Sequence, residues 1–213
     1  MAKDIYIVGT SGQAKEIVCL INAINRVSSV WNVVGFISES AEANGSLLVG
    51  RPVVACDTEF LAKRSGAAVA IGIGHPAIRK KVFAKYSAHG FDFPNLLHPR
   101  ANLDPGFIKL GQGNIVCAGA FISCDVSIGD ANLFNWQVTV GHDASIGSFN
   151  VVHPSANISG NVAIGDSVLV GVGSQILEGR RIGNTARIGA GAVVSKDVES
   201  GSTVVGIPAK AIH

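Results

Sequence analysis

Residues 140–170 read VGHDASIGSFNVVHPSANISGNVAIGDSVLV, and the spacing of their aliphatic residues decides the fold of the second half of the chain. Val140, Ile146, Val152, Ile158, Ile164 and Val170 stand six apart. Extended in both directions, the same step passes through Leu110, Val116, Ile122, Ile128 and Phe134 before it, and Ile176, Ile182, Ile188 and Val194 after it. The phase never breaks, so this is an internal repeat and not a run of independent strands. A heptad coiled coil needs period seven and is excluded.

The position four residues after each apolar residue is mostly small: Ala120, Val126, Val138, Ala144, Ala156, Val162, Val168, Ser174, Ala186 and Ala192. The position immediately after is often glycine: Gly111, Gly129, Gly141, Gly147, Gly165, Gly171, Gly183 and Gly189. Each hexad is therefore a short strand and a tight turn, with the first position inside, the fourth-later position in a cramped corner, and glycine supplying the unusual backbone angles of the turn. Three hexads make one triangular coil of 18 residues, and successive coils stack at about 4.8 Å, the strand spacing. Arg180 occupies a small inward slot of this register, which predicts a distorted corner with the guanidinium turned to solvent.

The first half has a different rhythm. Ile5–Val8 is an apolar strand ending in Gly9-Thr-Ser-Gly12, followed by a helix with Ile17, Val18, Ile21 and Ile24 on one face. Further strands are predicted at Val33–Ile37, Pro52–Ala55, Ala67–Ile73 and Phe93–Leu97, the last closing the sheet. Helices are predicted at Thr58–Arg64, with Thr58 as cap, and at Pro76 to about Tyr86. Alternating strands and helices imply a parallel sheet with a crevice at the strands' carboxyl ends. The expected organisation is a small Rossmann-like α/β domain over residues 1–98 and a repeat domain over 99–213. The turn Gly9–Gly12 presents backbone N–H groups as a phosphate would need, but lacks the full dinucleotide spacing, so a purely structural turn is an equal reading.

Composition sets the limits. Of 213 residues, 47% are hydrophobic and only 15% charged, so the chain folds; a net charge of +2 with no basic block argues against nucleic acid. No signal peptide and no membrane-spanning stretch is read, and four scattered cysteines without a C-x-x-C pair fit reduced thiols, so a cytoplasmic location is expected.

His142-Asp143 stands out chemically. The imidazole sits on a turn two residues past a core position, which points it outward, and an adjacent carboxylate can orient it as a base. From spacing alone, a surface histidine beside a turn aspartate is the favoured reading. Metal is disfavoured: His142 and His153 stand eleven apart, with no third histidine nearby in the repeat.

Residues 110–198 resemble the hexapeptide-repeat acyltransferases, and the α/β domain placed before them resembles that of the sialic-acid O-acetyltransferase and bacillosamine N-acetyltransferase group. The resemblance implies a left-handed parallel β-helix, homotrimers with active sites between subunits, acetyl-CoA as co-substrate, no metal, and a nucleotide-linked amino sugar held by the first domain. It selects His142 as general base, Asp143 as its partner and the Gly160 amide as the donor facing the thioester oxygen. For the nucleotide sugar it implicates Ser11, Gly12, Gln13, Ser38, Glu39 and Gly74, although many relatives have His at the position of Gln13 and two Asp at those of Ser38 and Glu39. For coenzyme A it implicates Val151, His153, the backbone amides of Gly171, Val172, Gly189 and Ala190, and the closing segment with Pro208 and Lys210; Arg187 is a further candidate for the phosphates. His153 as a plain turn cap also stays open. O-acetylation of sialic acid is the first rival activity, and a non-enzymatic or metal-dependent protein like the γ-class carbonic anhydrases the second.

Overall fold

The computed structural model describes residues 2–63 and 66–212, and divides into two compact units. The first comprises the chain through Gly74 together with Ile78–Pro99; the second comprises His75–Ala77 and the chain from Arg100 onward.

The first unit contains β1 (Lys3–Val8), α1 (Gly12–Val27), β2 (Trp31–Ser38), β3 (Leu47–Leu48), β4 (Arg51–Cys56), α2 (Asp57–Lys63), β5 (Ala68–Ile71) and α3 (Pro76–Ser87) from Ile78 onward. Its sheet has the order β3-β4-β2-β1-β5, parallel except for the β3–β4 hairpin, which the sequence reading did not include. Ile5, Ile7, Ile17, Ile21, Phe36 and Ile37 are completely buried, so the core lies where α1 covers β1 and β2. Phe93–Leu97 does not close this sheet; beyond β5 there is one bridge, Ala68 to Asp92. α2 begins one residue before the expected cap, and the Glu59 carboxylate accepts a hydrogen bond from the Cys56 N–H at 3.2 Å, reaching back over the helix start as in a capping box. Arg64, the expected end of that helix, lies outside the described residues.

The second unit is a parallel β-helix with three faces. Face A stacks Ile108–Leu110, Val126–Ile128, Ser145–Ile146, Ala163–Ile164 and Arg181–Ile182. Face B stacks Ile115–Val116, Leu133–Phe134, Val151–Val152, Leu169–Val170 and Arg187–Ile188, and ends in an antiparallel pair, Thr203–Val205 with Lys210–Ile212. Face C stacks Phe121–Ile122, Thr139–Val140, Asn157–Ile158, Gln175–Ile176 and Val193–Val194. Partners are 18 residues apart in successive coils, as in Phe134 with Val152, Val140 with Ile158 and Ile146 with Ile164, until the last parallel pair of face B, where Ile188 meets Val204 at a separation of 16. The hexad residues fill the prism: Val116, Phe134, Val152, Val170, Ile176 and Ile188 are completely buried.

The glycines that follow the hexad residues do a different job from the one expected. They do not have positive φ. A Cβ on Gly129 would lie 2.4 Å from Ser148 Oγ, and one on Gly141 2.4 Å from the Gly160 nitrogen, so these positions are glycine because the next coil passes too close. The left-handed residue is two positions later, at Asp125, Ala131, Gln137, Asp143, Phe149, Ser155, Asn161, Ser167 and Thr185 as well as Gly113, Gly173 and Gly191. Arg180 is half-buried and folds over the backbone, with Nε donating to the Glu178 carbonyl at 3.1 Å, instead of standing free in solvent.

A polar ladder inside the A–B corner escaped the sequence reading. Asn114, Asn132 and Asn150 are completely buried and stacked one coil apart. Asn114 Oδ1 accepts from both the backbone N–H and Nδ2 of Asn132, Asn132 Oδ1 from Asn150 N–H, and Asn150 Oδ1 from Val168 N–H. The ladder satisfies backbone donors that the corner would otherwise strand in an apolar interior.

Candidate active site

At the C–A corner the turns share one pattern. The residue after the hexad position donates its N–H to a carbonyl of the next coil, whereas the N–H of the residue after it meets no acceptor there; at the A–B corner that second N–H donates to a side chain one coil on, as Asp130 N–H does to Ser148 Oγ and Ser148 N–H to Asp166 Oδ1. Gly141 N–H donates to the Ile158 carbonyl at 2.8 Å and Ser159 N–H to the Ile176 carbonyl at 3.0 Å. The next N–H, that of His142 or Gly160, has no acceptor among the described residues. The C–A corner therefore carries an outward column of Cys124, His142, Gly160 and Glu178, one residue per coil.

Within that column His142 and Asp143 form a pair. Nδ1 lies 2.7 Å from Asp143 Oδ2, in the geometry of an N–H donating to the carboxylate. The left-handed conformation of Asp143, φ 57°, puts its side chain beside the ring, and its N–H donates to the Cys124 carbonyl at 3.2 Å, tying the turn to the coil beneath. With Nδ1 engaged, Nε2 is left as the free basic nitrogen. A Cβ on Gly160 would lie 2.7 Å from both Cε1 and Nε2, so the far edge of the imidazole overhangs Gly160 and the glycine makes room for it. The hydrogen bond to Asp143 raises the His142 pKa; the little burial present opposes this, and the charges of Asp143 and Glu178 add to it. An exposed basic nitrogen with its orienting carboxylate thus lies over the unpaired N–H of the buried Gly160, the groups that proton removal next to a developing oxyanion requires.

The coenzyme candidates lie elsewhere. His153, Gly171, Val172, Gly189 and Ala190 share the B–C corner, across face C from the pair. The glycine amides there are already committed: Gly171 N–H donates to the Ile188 carbonyl at 2.9 Å and Gly189 N–H to the Val204 carbonyl at 2.8 Å. Only the Val172 and Ala190 N–H groups of the four remain outward, which corrects the expectation for Gly171 and Gly189. Val151 is also corrected: its side chain is fully buried and cannot line an open groove. His153 is half-buried, and burial lowers its pKa. Pro208 and Lys210 are exposed in the closing segment, anchored where Ala209 N–H donates to the Val193 carbonyl at 2.8 Å. Among the described residues no three His, Cys, Asp or Glu side chains group as a metal site.

In the α/β unit, Gly9, with φ 113°, would bring a Cβ to 2.9 Å from the Gly72 carbonyl oxygen, and a Cβ on Gly72 would lie 2.7 Å from that of Ala14. β1, β5 and the start of α1 therefore meet at contact distance, leaving Gly12 and Gly74 with open space around them. Ser11 precedes the helix but donates its hydroxyl to the Gly72 carbonyl at 3.3 Å, leaving the first-turn N–H groups of Gly12 and Gln13 free. Gln13 Nε2 is buried with no acceptor. Glu39 is exposed, but Ser38 is buried and donates to the Ser40 carbonyl at 2.7 Å, so its hydroxyl is a structural latch, contrary to the expected ligand contact. Sequence reasoning missed Arg79, which is completely buried and donates from Nη1 to the carbonyls of Ile71 and Ile73, fixing the end of β5; burial lowers its pKa to about 9.

Comparison with known proteins agrees with both units. Residues 4–86 match the family described as the PglD N-terminal domain. The whole chain superimposes on a perosamine N-acetyltransferase variant from Caulobacter crescentus, solved with CoA and GDP-perosamine, at TM-score 0.88 and 28% identity over 100% of this chain and 98% of that one. The acetyltransferase domain of PglB from Neisseria gonorrhoeae FA1090 gives TM-score 0.87 and 27% identity over 99% and 100%. WeeI from Acinetobacter baumannii AYE gives 0.87 and 29% over 99% and 100%. No curated protein sequence matches.

Proposed function

We propose that the chain is a hexapeptide-repeat acyltransferase of the nucleotide-sugar N-acetyltransferase group, and that it moves acetyl from acetyl-CoA to the 4-amino group of a nucleotide-linked sugar, with His142 as base. The observation that carries this reading is the overhang of the His142 ring above the Gly160 N–H, with Nδ1 tied to Asp143. The amine nitrogen attacks the thioester carbon while its proton passes to Nε2 of His142. Asp143 steadies the resulting imidazolium, and the Gly160 N–H donates to the oxygen as it becomes an oxyanion. Collapse of the tetrahedral intermediate breaks the carbon–sulfur bond, and the proton on His142 neutralises the departing thiolate. The enzyme is left as it began.

The α/β unit holds the nucleotide. The free N–H groups of Gly12 and Gln13 lie at the positive end of α1, and Gln13 Nε2 needs an acceptor there, which a diphosphate or ribose oxygen supplies. Gly74 and Glu39 border the same strand ends. Coenzyme A runs along the B–C corner past the Val172 and Ala190 amides and His153, towards Pro208 and Lys210. Because the base and these amides occupy different corners of one prism, a trimer that sets one copy's C–A corner beside another's B–C corner completes the site. No helix among the described residues is long and apolar enough to cross a membrane; a cytoplasmic location is part of the proposed reading.

The test is to incubate the protein with acetyl-CoA and a panel of nucleotide-linked 4-amino sugars, their 4-hydroxy counterparts and sialic acid, and to identify the product by mass spectrometry. An amide product only with the amino sugars supports the reading. An ester on a hydroxyl acceptor replaces it with O-acetylation.

A further inference from the structure

One coil before the His142–Asp143 pair the β-helix has a cavity of about 480 Å³, whose lining includes Phe107, Ile108, Lys109, Asp125, Val126 and Ser127. The proposed chemistry does not use it. Its location is fixed by the register: Val126 pairs with Ile108, and Asp125 stands directly before Asp143 in the same corner column, both in the left-handed conformation. Phe107 is 58% exposed, the most exposed aromatic ring of this domain. The ring is carried on a defined loop, because Asp104 accepts from Gly106 N–H through Oδ1 at 2.8 Å and from Phe107 N–H through its carbonyl at 3.0 Å. Lys109 and Asp125 are exposed and form no ion pair among the described residues.

We infer that this cavity seats the pyranose ring of the acceptor sugar, with Phe107 against its C–H face and Asp125 accepting hydrogen bonds from its hydroxyls. The lining is more polar than apolar, with Lys109, Asp125 and Ser127 beside Phe107. A pyranose matches that mixture, with an apolar face for the aromatic ring and hydroxyl donors for an acceptor-only carboxylate. The axial order also fits. Cavity, His142 and Gly160 follow one another along the helix, with about 4.8 Å per coil. A ring seated against Asp125 can extend its amino group past His142 to a thioester over Gly160.

The inference rests on the acetyl-transfer reading, so the experiment separates the two. Steady-state kinetics with acetyl-CoA and the most active nucleotide-linked 4-amino sugar are compared for wild type, Phe107→Ala, Asp125→Asn and His142→Ala, with calorimetric titration of the same sugar into each. For Phe107→Ala and Asp125→Asn the expected result is an acceptor KM and Kd raised about 10-fold or more, with the KM for acetyl-CoA within twofold of wild type. His142→Ala should lose kcat but keep the acceptor Kd. A merely structural role for Phe107 or Asp125 would weaken both substrates together. An acceptor KM and Kd unchanged in both variants overturns the cavity assignment and leaves the base untouched. An active His142→Ala overturns the base and leaves the calorimetric test of the cavity intact.

Discussion

Replacing Gly160 by alanine separates catalysis from folding in this architecture. The added methyl would lie 2.7 Å from Cε1 and Nε2 of His142 and 3.2 Å from Cδ2, whereas a comfortable contact is about 3.5 Å or more. Something must retreat by about 1 Å. The groups in the way belong to the end of a side chain that is 55% exposed, so the imidazole swings aside and the backbone stays in place. Stability should therefore fall by less than about 1 kcal/mol, as for most exposed substitutions. Activity should fall by about 100-fold in kcat, the cost of displacing a catalytic group by about 1 Å. Gly141→Ala is the contrast. Its methyl would meet the Gly160 nitrogen at 2.4 Å and the Ser159 carbonyl carbon at 2.6 Å, both backbone, so that variant should lose about 3 kcal/mol of stability. Thiol release from acetyl-CoA and thermal unfolding, measured on both proteins, give the comparison. A Gly160→Ala protein with wild-type kcat would refute the placement of the imidazole edge. Unfolding of Gly160→Ala as severe as that of Gly141→Ala would refute the argument that the ring yields.

Asp143→Asn removes the largest influence raising the His142 pKa; since the base must be neutral, activity rises with pH through that pKa, and the rising limb of kcat/KM should move to lower pH, with a plateau reduced about 10- to 100-fold. A limb that stays or moves up in a pH-rate profile would show that Asp143 does not set it. Asn132→Ala deletes the middle rung of the buried ladder and strands the Asn150 N–H, so chemical denaturation should show a loss of about 3 kcal/mol, while the pH-rate profile keeps its shape. Gln13→Ala should raise the KM for the nucleotide sugar several-fold and leave that for acetyl-CoA unchanged, if its buried amide meets the nucleotide. Equal effects on both substrates would count against that role.

The repeat was legible because one physical constraint, an interior three side chains across, recurs every six residues and admits only apolar side chains, from Leu110 to Val194. Other features recur equally strictly without leaving a residue-type signature. The left-handed position is held by Asp125, Gln137, Phe149 and Thr185, which share only their backbone angle. The Asn ladder occupies slots where small apolar residues are the rule elsewhere, and reads as an interruption until the 18-residue stacking shows each side chain serving the next coil. The glycines were visible but their cause was not, since close approach of a neighbouring coil and a positive φ both select glycine. In the α/β unit the ends of elements were the weak point: Glu59, and not Thr58, marks the start of α2, and the Ser38 hydroxyl is spent on a turn. His142 and Asp143 stood out by their turn position and chemistry, but it was the resemblance to the hexapeptide-repeat acyltransferases that selected them as base and partner. The overhang on Gly160 and the two committed amides, Gly171 and Gly189, needed the inter-coil register.

The most direct test of the central claim is single-turnover acetyl transfer to a nucleotide-linked 4-amino sugar by wild type and His142→Ala under saturating substrates. A loss of about 100- to 10,000-fold, with the far-UV spectrum and the assembly state unchanged, is the result expected for removal of a general base. Transfer at the wild-type rate by a folded His142→Ala protein would contradict it, and would mean that the amine reaches the thioester already stripped of its proton.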